Sequence, residues 1–501
     1  MHSDLLKYYR HLKETAALRS ALSLLQWDQE VNMPISAATS RANQISILSG
    51  LVHEKYTNRE FINLTNKLYN AADLTKSEKR SVAKTLKNIT KSTLLSKEFV
   101  EKVSSVTSHV FNSWLDARKN NNANDYLKTL QELVDIKKRE YELKYPGLDV
   151  YEGCLDEYDE GVNTSELDRL FKNLLPGIDQ IIANIPKSDD DFLFLKRHYP
   201  ADKQWKFGLE IMQNCGFDFR AGRQDKSAHP FTITISEGDI RITTRIDENN
   251  FAEMFWSSMH ELGHGLYEQG IPQQFEGAPE SEACSISIHE SQSRFWENHI
   301  GRSSDFINLI FPGMQNMFPE QLREVDSEKM FRAINRIEPG LIRTAADELT
   351  YHKHIFIRYT LEKELIQGKI KCTELKDAWN SMYESELGLK VPDDNHGVLQ
   401  DVHWAHGSFG YFPTYTLGSL YAAQFNKQIR TELPSVFNTL STASFPEINF
   451  WMSKKVYSKG KLFDSSELCH QITGSHLSAD AFLDYSRKKF THSTDKSLSE
   501  T

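Results

Sequence analysis

The residues with the clearest chemical potential are two histidines and a glutamate within five consecutive positions. His260 and His264 are four residues apart, and Glu261 directly follows the first of them. On a helix this spacing places both imidazoles on one face, where they can converge on a single metal ion while the carboxylate reaches the water bound to it. The pattern therefore predicts a hydrolytic zinc site with Glu261 as its general base. Because the motif is short, a helix that merely displays two surface histidines is the alternative.

A catalytic zinc site also needs a third protein ligand and one open position. No third histidine follows closely in the sequence, so the candidates are acidic residues of the next helical segment, namely Glu280, Glu282 and Glu290. Glu290 lies 26 residues after His264, which leaves room for a loop and a second helix packed beside the first. Position alone favours Glu290 only modestly, and Glu282 is a further candidate as the outer partner of a ligand imidazole.

The helix that must carry the two histidines is predicted to begin at Phe251. Asn249 or Asn250 can cap its first turn. Gly263 and Gly265 have no side chains, so they leave room for a substrate or for a closely packed strand. An apolar stripe that would bury one side of the helix recurs at Phe251, Phe255, Leu262 and Leu266.

A β hairpin is predicted immediately before this helix. Residues 231–246 read FTITISEGDIRITTRI, which alternates with period two and turns at Glu237-Gly238. One face of its second strand carries isoleucines, and the other carries Asp239, Arg241, Thr243 and Arg245. The hairpin would thus offer a row of polar and cationic groups beside the helix, although a solvated outer face is the simpler interpretation.

Most of the remaining sequence predicts helices. Apolar residues recur at three- and four-residue steps among charged ones through much of the chain. Pro34 is expected to end the first helix. Later helices are expected to be separated at the Pro-Gly pairs Pro146-Gly147, Pro176-Gly177, Pro312-Gly313 and Pro339-Gly340.

The composition narrows the class of protein. The chain has 501 residues, of which 39% are hydrophobic, and a net charge of -10. It can form a packed core, and its acidic balance disfavours nucleic acids and anionic membranes as partners. Because Met1-His2-Ser3-Asp4 is not followed by the basic and apolar pattern of a secretory signal, and no apolar stretch is long enough to cross a bilayer, we expect neither a signal nor a membrane span. Five separated cysteines without a C-x-x-C pair predict buried thiols in a reducing compartment, so the expected location is the cytoplasm.

Several motifs, spaced along almost the whole chain, are together typical of one protein family. The chain resembles the carboxypeptidase Taq family, zinc carboxypeptidases related in fold to neurolysin-like and angiotensin-converting-enzyme-like peptidases. The stretches that carry the resemblance are Leu25-Gln26-Trp27-Asp28, Met33-Pro34, His229-Pro230-Phe231, Asp239-x-Arg241-x-Thr243, the segment 260–264, His289-Glu290-Ser291-Gln292, Ile342-Arg343-x-x-Ala346-Asp347, and Gly397-x-x-Gln400-Asp401-x-His403-Trp404.

The resemblance implies a reaction and a fold. It implies that Glu290 is the third zinc ligand, and that the enzyme releases single amino acids from the C-terminus of short peptides with broad specificity. Cobalt is a possible substitute for zinc, since His and Glu suit several metals. We expect one mainly α catalytic unit over residues 1–501, with two halves facing across a deep groove and a small β hairpin beside the active-site helix. The resemblance also implies a homodimer.

A carboxypeptidase must hold the terminal carboxylate of its substrate, and an arginine can do so with two parallel hydrogen bonds. The resemblance implicates Arg343 in this role, with Arg241 and His229 at the closed end of the cleft. Because Arg343 and Asp347 are four residues apart, an ordinary helical salt bridge is the alternative.

Residues 397–418 form a segment rich in glycine and aromatic residues that also contains His403 and His406. Related folds use a tyrosine about a dozen residues after a histidine to stabilise the oxyanion, which indicates Tyr415 first and Tyr411 second. The alternative is an aromatic loop that only packs.

Two other functions remain open from the sequence. A zinc oligopeptidase or dipeptidyl-type peptidase could share this fold, and a non-catalytic helical scaffold could retain the histidine motif without its activity.

Overall fold

The computed structural model of the protein describes residues 3–186 and 191–491. Helices account for most of the described chain. In order, the helices and strands are α1 Ser3–Val31, α2 Ala38–Tyr56, α3 Arg59–Tyr69, α4 Lys76–Thr93, α5 Lys97–Asn120, α6 Asn124–Lys144, α7 Val150–Tyr158, α8 Thr164–Ala183, α9 Ala201–Asn214, β1 Gly222–Lys226, β2 Thr232–Ser236, β3 Asp239–Thr244, α10 Phe251–Gly270, α11 Ile286–Arg294, α12 Ser304–Met317, α13 Ser327–Ile334, α14 Tyr351–Ile366, α15 Leu375–Leu387, α16 Pro413–Glu432, α17 Pro434–Asn438, α18 Ser444–Lys455, α19 Ser465–Thr473 and α20 Asp480–Thr491.

The mainly α fold with a small sheet is confirmed, and the sheet has one strand more than predicted. Strands β2 and β3 form the expected antiparallel hairpin, and β1 pairs with β3 in parallel, so the strand order is β1-β3-β2. Ile240 and Ile242 of β3 are buried, as the alternation predicted. The short β1, with the sequence GRQDK, contains no apolar side chain. The sequence therefore has no alternating apolar pattern there from which this strand could be predicted.

The described residues fall into two compact units, each assembled from separate stretches of the chain. Among the described residues, the first unit contains 3–90, 191–334 and 421–476, and the second contains 91–186, 335–420 and 477–491. One catalytic unit over residues 1–501, with a groove between two halves, stays a prediction.

In the first unit, helix α10 is largely buried in the hydrophobic core. It begins at Phe251 as predicted, and it buries its apolar stripe. The side chain of Asn250 does not cap the helix, because it donates to Oε2 of Glu253 instead. Aromatic rings from α9, α10 and the segment after α12 pack together at Phe207, Phe251, Phe255 and Phe318.

In the second unit, α14 is buried on nearly all sides. Its buried residues include charged and polar ones, among them Arg358, Glu362 and His354. Burying such groups is costly unless they are paired and hydrogen-bonded. These buried groups of α14 therefore require hydrogen-bond or ion-pair partners.

Two of the four Pro-Gly pairs separate helices as predicted, because Pro146-Gly147 lies between α6 and α7 and Pro339-Gly340 lies between α13 and α14, whereas the other two do not. Pro176 lies inside α8 and Pro312 inside α12. At the first of these sites, a Cβ on Gly177 would lie 2.6 Å from both methyl carbons of Leu483 of α20. The pair thus accompanies a close helix contact, and buried neighbours such as Leu174 and Ile178 hold α8 together across the proline. By contrast, α1 ends at Val31, shortly before Pro34, as expected. Within the described ranges, no helix has both the length and the apolar character to cross a membrane.

Candidate active site

Three side chains from two neighbouring helices meet at one point in the first unit. His260 and His264 extend from α10, and Glu290 extends from α11. Nε2 of each histidine lies 3.6 Å from the same carboxylate oxygen, Oε2 of Glu290. Both imidazoles are largely buried, with 20% and 14% of the side chain exposed. The structure therefore brings together the three predicted ligands, and the two histidines are not surface residues.

The donor set fits a divalent metal ion. The ligand atoms of His260, His264 and Glu290 all lie within 4.8 Å of one another. Ligands about 2 Å from a tetrahedral zinc lie roughly 3.3 Å apart, so the two 3.6 Å distances to Glu290 need to shorten only slightly. Burial, and then His289, lower the pKa of His264 to about 3, which keeps this imidazole neutral. Although burial raises the pKa of Glu290, Arg294 and the two histidines outweigh it and hold that pKa well below its usual range. Neutral imidazole and ionised carboxylate are the forms that bind metal.

Glu297, which no sequence pattern indicated, orients one of the histidines. It lies in the π-helical turn Phe295–Gly301 that follows α11, and its Oε2 is 2.9 Å from Nδ1 of His260. Arg302 donates to its other oxygen at 3.1 Å. Such a contact determines which ring nitrogen faces the metal. Glu282 does not serve as this outer partner, because its carboxylate lies 3.5 Å from Arg19 and 3.6 Å from Lys461.

Replacing Glu297 by glutamine is expected to weaken zinc binding by about 10- to 100-fold, since outer partners of ligand histidines have effects of this size. Competition with a zinc-binding dye measures the affinity. Glu253→Gln, in the first turn of α10, is the control and should bind zinc like the unaltered protein. Equal affinity in both variants would show that Glu297 does not orient His260.

Gly263 allows the two ligand-bearing helices to touch. A Cβ at this position would lie 2.3 Å from the carbonyl oxygen of Gln292 and 2.6 Å from Cα of Ser293, both on α11. Gly265 instead faces the side chains of Ile242 and Phe217, and a Cβ there would lie 2.8 Å from each of them. The room predicted at these two glycines is thus filled by a helix backbone and by side chains on the sheet side of α10.

We expect Gly263→Ala to lower zinc affinity by at least about tenfold, because α11 and its Glu290 must move away from α10. Gly265→Ala is the matched comparison: its methyl group meets side chains that can rotate, so it should lower the melting temperature without a comparable loss of zinc. Calorimetry and dye competition on both variants separate the two effects. The prediction is wrong if both lose zinc affinity equally.

The predicted general base is held by the sheet. Oε2 of Glu261 accepts a hydrogen bond from Oγ1 of Thr232 at 2.6 Å, and two turns later Oε2 of Glu268 accepts one from Thr234 at 2.8 Å. Glu268 also lies 2.8 Å from Nε2 of His289, whose ring stacks on His264 with centroids 4.4 Å apart. Burial raises the pKa of Glu261, which brings the carboxyl closer to the range useful for proton transfer.

The polar face of β3 is not a uniformly solvated surface. Thr243 is fully buried, and its Oγ1 accepts hydrogen bonds from Ser227 and from the backbone of Phe231. The Arg241 guanidinium donates to both carboxylate oxygens of Asp239 at 2.8 Å and lies 4.2 Å from the ring centre of Trp27. Of the four polar residues on this face, only Arg245 fits the prediction of a solvated surface, with 55% of its side chain exposed. His229 is exposed in the loop before β2.

In the second unit, Arg343 belongs to a buried charge cluster. Its Nε donates to Oδ1 of Asp401 at 2.9 Å, and Arg358 donates to Oδ2 of the same carboxylate at 2.7 Å. Nη1 of Arg343 lies 3.3 Å from the hydroxyl of Tyr351. The predicted alternative of a helical salt bridge to Asp347 is wrong, because residues 343–345 form a separate short turn and Asp347 accepts hydrogen bonds from Leu349 and Thr350 at the start of α14.

The predicted oxyanion residues also meet in this unit. Nε2 of His403 lies 3.2 Å from the hydroxyl of Tyr415, and Tyr411 packs against both rings. Burial lowers the pKa of His403 to about 3, and Arg343 contributes, although Asp401 opposes the shift; the imidazole is therefore neutral. His406 is exposed and packs on Phe111 rather than joining the others.

A buried carboxyl group that no sequence pattern indicated lies beneath this segment. Glu362 of α14 is fully buried, and burial raises its pKa to about 7, although hydrogen bonds from Tyr151, Trp404 and Gly410 lower it in part. Glu362 is one of many acidic residues in a helical sequence, so its position in the sequence did not indicate a special role.

This raised pKa predicts a pH dependence of stability. The folded protein holds the Glu362 proton more tightly than the unfolded chain, so the contribution of this group is fully present below pH 4.5 and lost as the pH rises through about 7. Relative to the unaltered protein, Glu362→Gln should therefore gain up to about 3 kcal/mol of unfolding free energy across this range. Denaturant titrations at a series of pH values measure the difference. A difference that does not change with pH would contradict the assignment.

Comparison with known proteins identifies relatives along nearly the whole chain. The family model of the carboxypeptidase Taq (M32) metallopeptidases matches residues 7–490. Thermostable carboxypeptidase 1 of Thermus thermophilus is 35% identical over 503 residues, with 98% of each chain covered. Carboxypeptidase 1 of Bacillus subtilis is 33% identical over 494 residues, with 98% of this chain and 97% of the relative covered. The crystal structure of an M32 carboxypeptidase from Deinococcus radiodurans superposes with a TM-score of 0.94 at 35% identity, covering 98% of this chain and 99% of that one.

Proposed function

The chain belongs to the carboxypeptidase Taq (M32) family and is a metallocarboxypeptidase, and from this premise we propose that it removes single C-terminal amino acids from peptides, with broad specificity, at a zinc site formed by His260, His264 and Glu290. The observation that carries the proposal is the convergence of two imidazole nitrogens on one carboxylate oxygen, each at 3.6 Å. Two histidines, a glutamate and an open position are a typical catalytic zinc set, and cobalt is also compatible with these ligands.

The chain's own residues account for the proton transfers. When bound, the metal supplies positive charge that polarises a carbonyl group and makes water more acidic. Glu261, held by Thr232, removes a proton from the attacking water as the oxygen bonds to the scissile carbonyl carbon. It then delivers that proton to the leaving nitrogen as the C–N bond breaks. Tyr415 and His403 donate hydrogen bonds to the negative oxygen that forms on the carbonyl carbon.

Arg343 is the proposed partner of the substrate's terminal carboxylate. Arg343 and Arg358 share the single carboxylate of Asp401, so this buried cluster carries a net positive charge. A buried cation is stabilised by a second anion, and a peptide's free C-terminus provides one. Arg241 and His229 are proposed to limit the cleft beyond the terminal residue, and Tyr411 and His406 are proposed to contact the peptide.

The cellular location and the oligomeric state of the enzyme are also part of the proposal. The side chains of Cys154, Cys215, Cys284, Cys372 and Cys469 are all buried. This cysteine usage supports the cytoplasm as its location. A homodimer is proposed from the likeness to the family, and light scattering of the purified protein tests it.

The direct test of the activity uses matched peptides with a free or an amidated C-terminus. Mass spectrometry should detect a ladder of products that lose one residue at a time from the free peptide only, and a chelator should abolish the ladder. Removal of two residues at a time, or internal cleavage of both peptides, would favour a dipeptidyl peptidase or an oligopeptidase. An intact peptide with a fully zinc-loaded protein would favour a non-catalytic scaffold.

A further inference from the structure

Glu362 connects the buried helix of the second unit to the loop that carries the proposed oxyanion residues. It lies in the fourth turn of α14, and its two oxygens accept three hydrogen bonds. Tyr151 donates from its hydroxyl at 2.5 Å, Trp404 from its ring nitrogen at 3.1 Å, and Gly410 from its backbone at 3.1 Å. Two of these three donors belong to the loop of residues 397–412.

The carboxyl group of Glu362 has no cationic partner. In the part of the chain that the structure describes, no lysine or arginine forms an ion pair with it. Burial of a carboxylate without a counter-charge is costly, so hydrogen bonding is its main compensation. The carboxylate of Glu362 accepts from Trp404 on one oxygen and from Gly410 on the other. A glutamine side chain has only one accepting oxygen, so it could keep only one of these two contacts with the loop.

The loop has little freedom to move at this contact. Gly410 has φ +88°, and a Cβ there would lie 2.4 Å from the carbonyl oxygen of Cys154 on α7. One helical turn before Glu362, Arg358 donates to Asp401 at 2.7 Å and to Gln400 at 3.1 Å. Helix α14 thus holds the loop before His403 through Arg358, and after it through Glu362.

We propose that Glu362 is a positioning residue for catalysis, which holds Trp404 and Gly410 so that His403 and Tyr415 keep their relative placement. The inference rests on the proposed role of Tyr415 and His403 in the reaction. Trp404 directly follows His403, and Gly410 precedes the turn into α16 on which Tyr415 lies. A displacement of about 1 Å at a catalytic group can lower a rate by about 100-fold, so these two hydrogen bonds matter for turnover.

The test is an ordered series of variants measured for kcat, KM, zinc content and thermal stability. Glu362→Leu removes both loop contacts and should lower kcat by about 10- to 100-fold, with zinc content unchanged. Glu362→Gln and Trp404→Phe each lose one of the two contacts and should lower kcat by about three- to tenfold. Tyr151→Phe removes only the contact outside the loop, so its kcat should equal that of the unaltered protein although its stability falls.

The comparison with Tyr415→Phe separates two kinds of failure. If Tyr415→Phe lowers kcat and the Glu362 series does not, the positioning role is wrong and the proposed function stands. If Tyr415→Phe leaves kcat unchanged, the oxyanion role itself is wrong. If kcat follows stability across the series, with Tyr151→Phe losing as much as Trp404→Phe, Glu362 is only structural. The two single-contact variants retain most of the local packing, so they report on the proposal even if Glu362→Leu does not fold.

Discussion

Replacing Glu261 by glutamine is expected to lower kcat by about 10²- to 10⁴-fold while the protein keeps its zinc. Glutamine cannot take up a proton from water, but its amide oxygen can still accept the hydrogen bond from Thr232 that holds the side chain at 2.6 Å. Burial already raises the pKa of this carboxyl, so a neutral side chain fits its surroundings. The measurements are steady-state kinetics on a free-acid peptide and metal analysis of the same sample.

Glu268→Gln is the matched control for this variant. Glu268 lies on the same helix and accepts from Thr234 of the same strand, but it lies against His289 and has no proposed role in the proton transfers. We expect its loss of kcat to be about tenfold at most. If Glu261→Gln keeps a kcat comparable to that of Glu268→Gln, another residue is the general base.

Replacing Arg343 by methionine is expected to lower kcat/KM for free-acid peptides by about 10²- to 10³-fold, the loss of two hydrogen bonds to a charged group. The fold should persist, because Asp401 keeps its contact with Arg358 at 2.7 Å and the cluster becomes electrically neutral. Stability should therefore stay near that of the unaltered protein. Kinetics and calorimetry on one preparation test both statements.

Arg343→Lys distinguishes charge from geometry. Lysine restores the positive charge without the planar pair of donors, so its kcat/KM should lie between those of the methionine variant and the unaltered protein. Arg343 has no carboxylate-binding role if Arg343→Met retains its preference for free over amidated peptides.

The short-range part of the site could be predicted from the sequence. The four-residue spacing of His260 and His264 requires only a helix, and the apolar stripe of α10 predicted that helix and its start at Phe251. The alternation after Phe231 predicted the β2-β3 hairpin in the same way. These features depend on residues that are close in sequence, and the periodicity of apolar residues predicts local structure of this kind.

The long-range part could not be predicted in this way. The partner of Arg343 is Asp401, 58 residues away, and not Asp347, because the chain leaves helical geometry between positions 343 and 347. Glu297 was missed because the π-helical turn after α11 shifts which residues face α10. Pro176 did not end its helix, since the packing of α8 against α20 outweighs the lost hydrogen bond. In each case tertiary contacts decided the outcome.

Zinc content of two glutamate variants tests the central claim most directly. After dialysis, the unaltered protein and Glu282→Ala should each contain about one zinc ion per chain, and Glu290→Ala should contain almost none. Glu282 is the right comparison, because it was the competing candidate and its carboxylate lies between Arg19 and Lys461. Full zinc content in Glu290→Ala, or a loss confined to Glu282→Ala, would show that the metal is not held where these two helices meet.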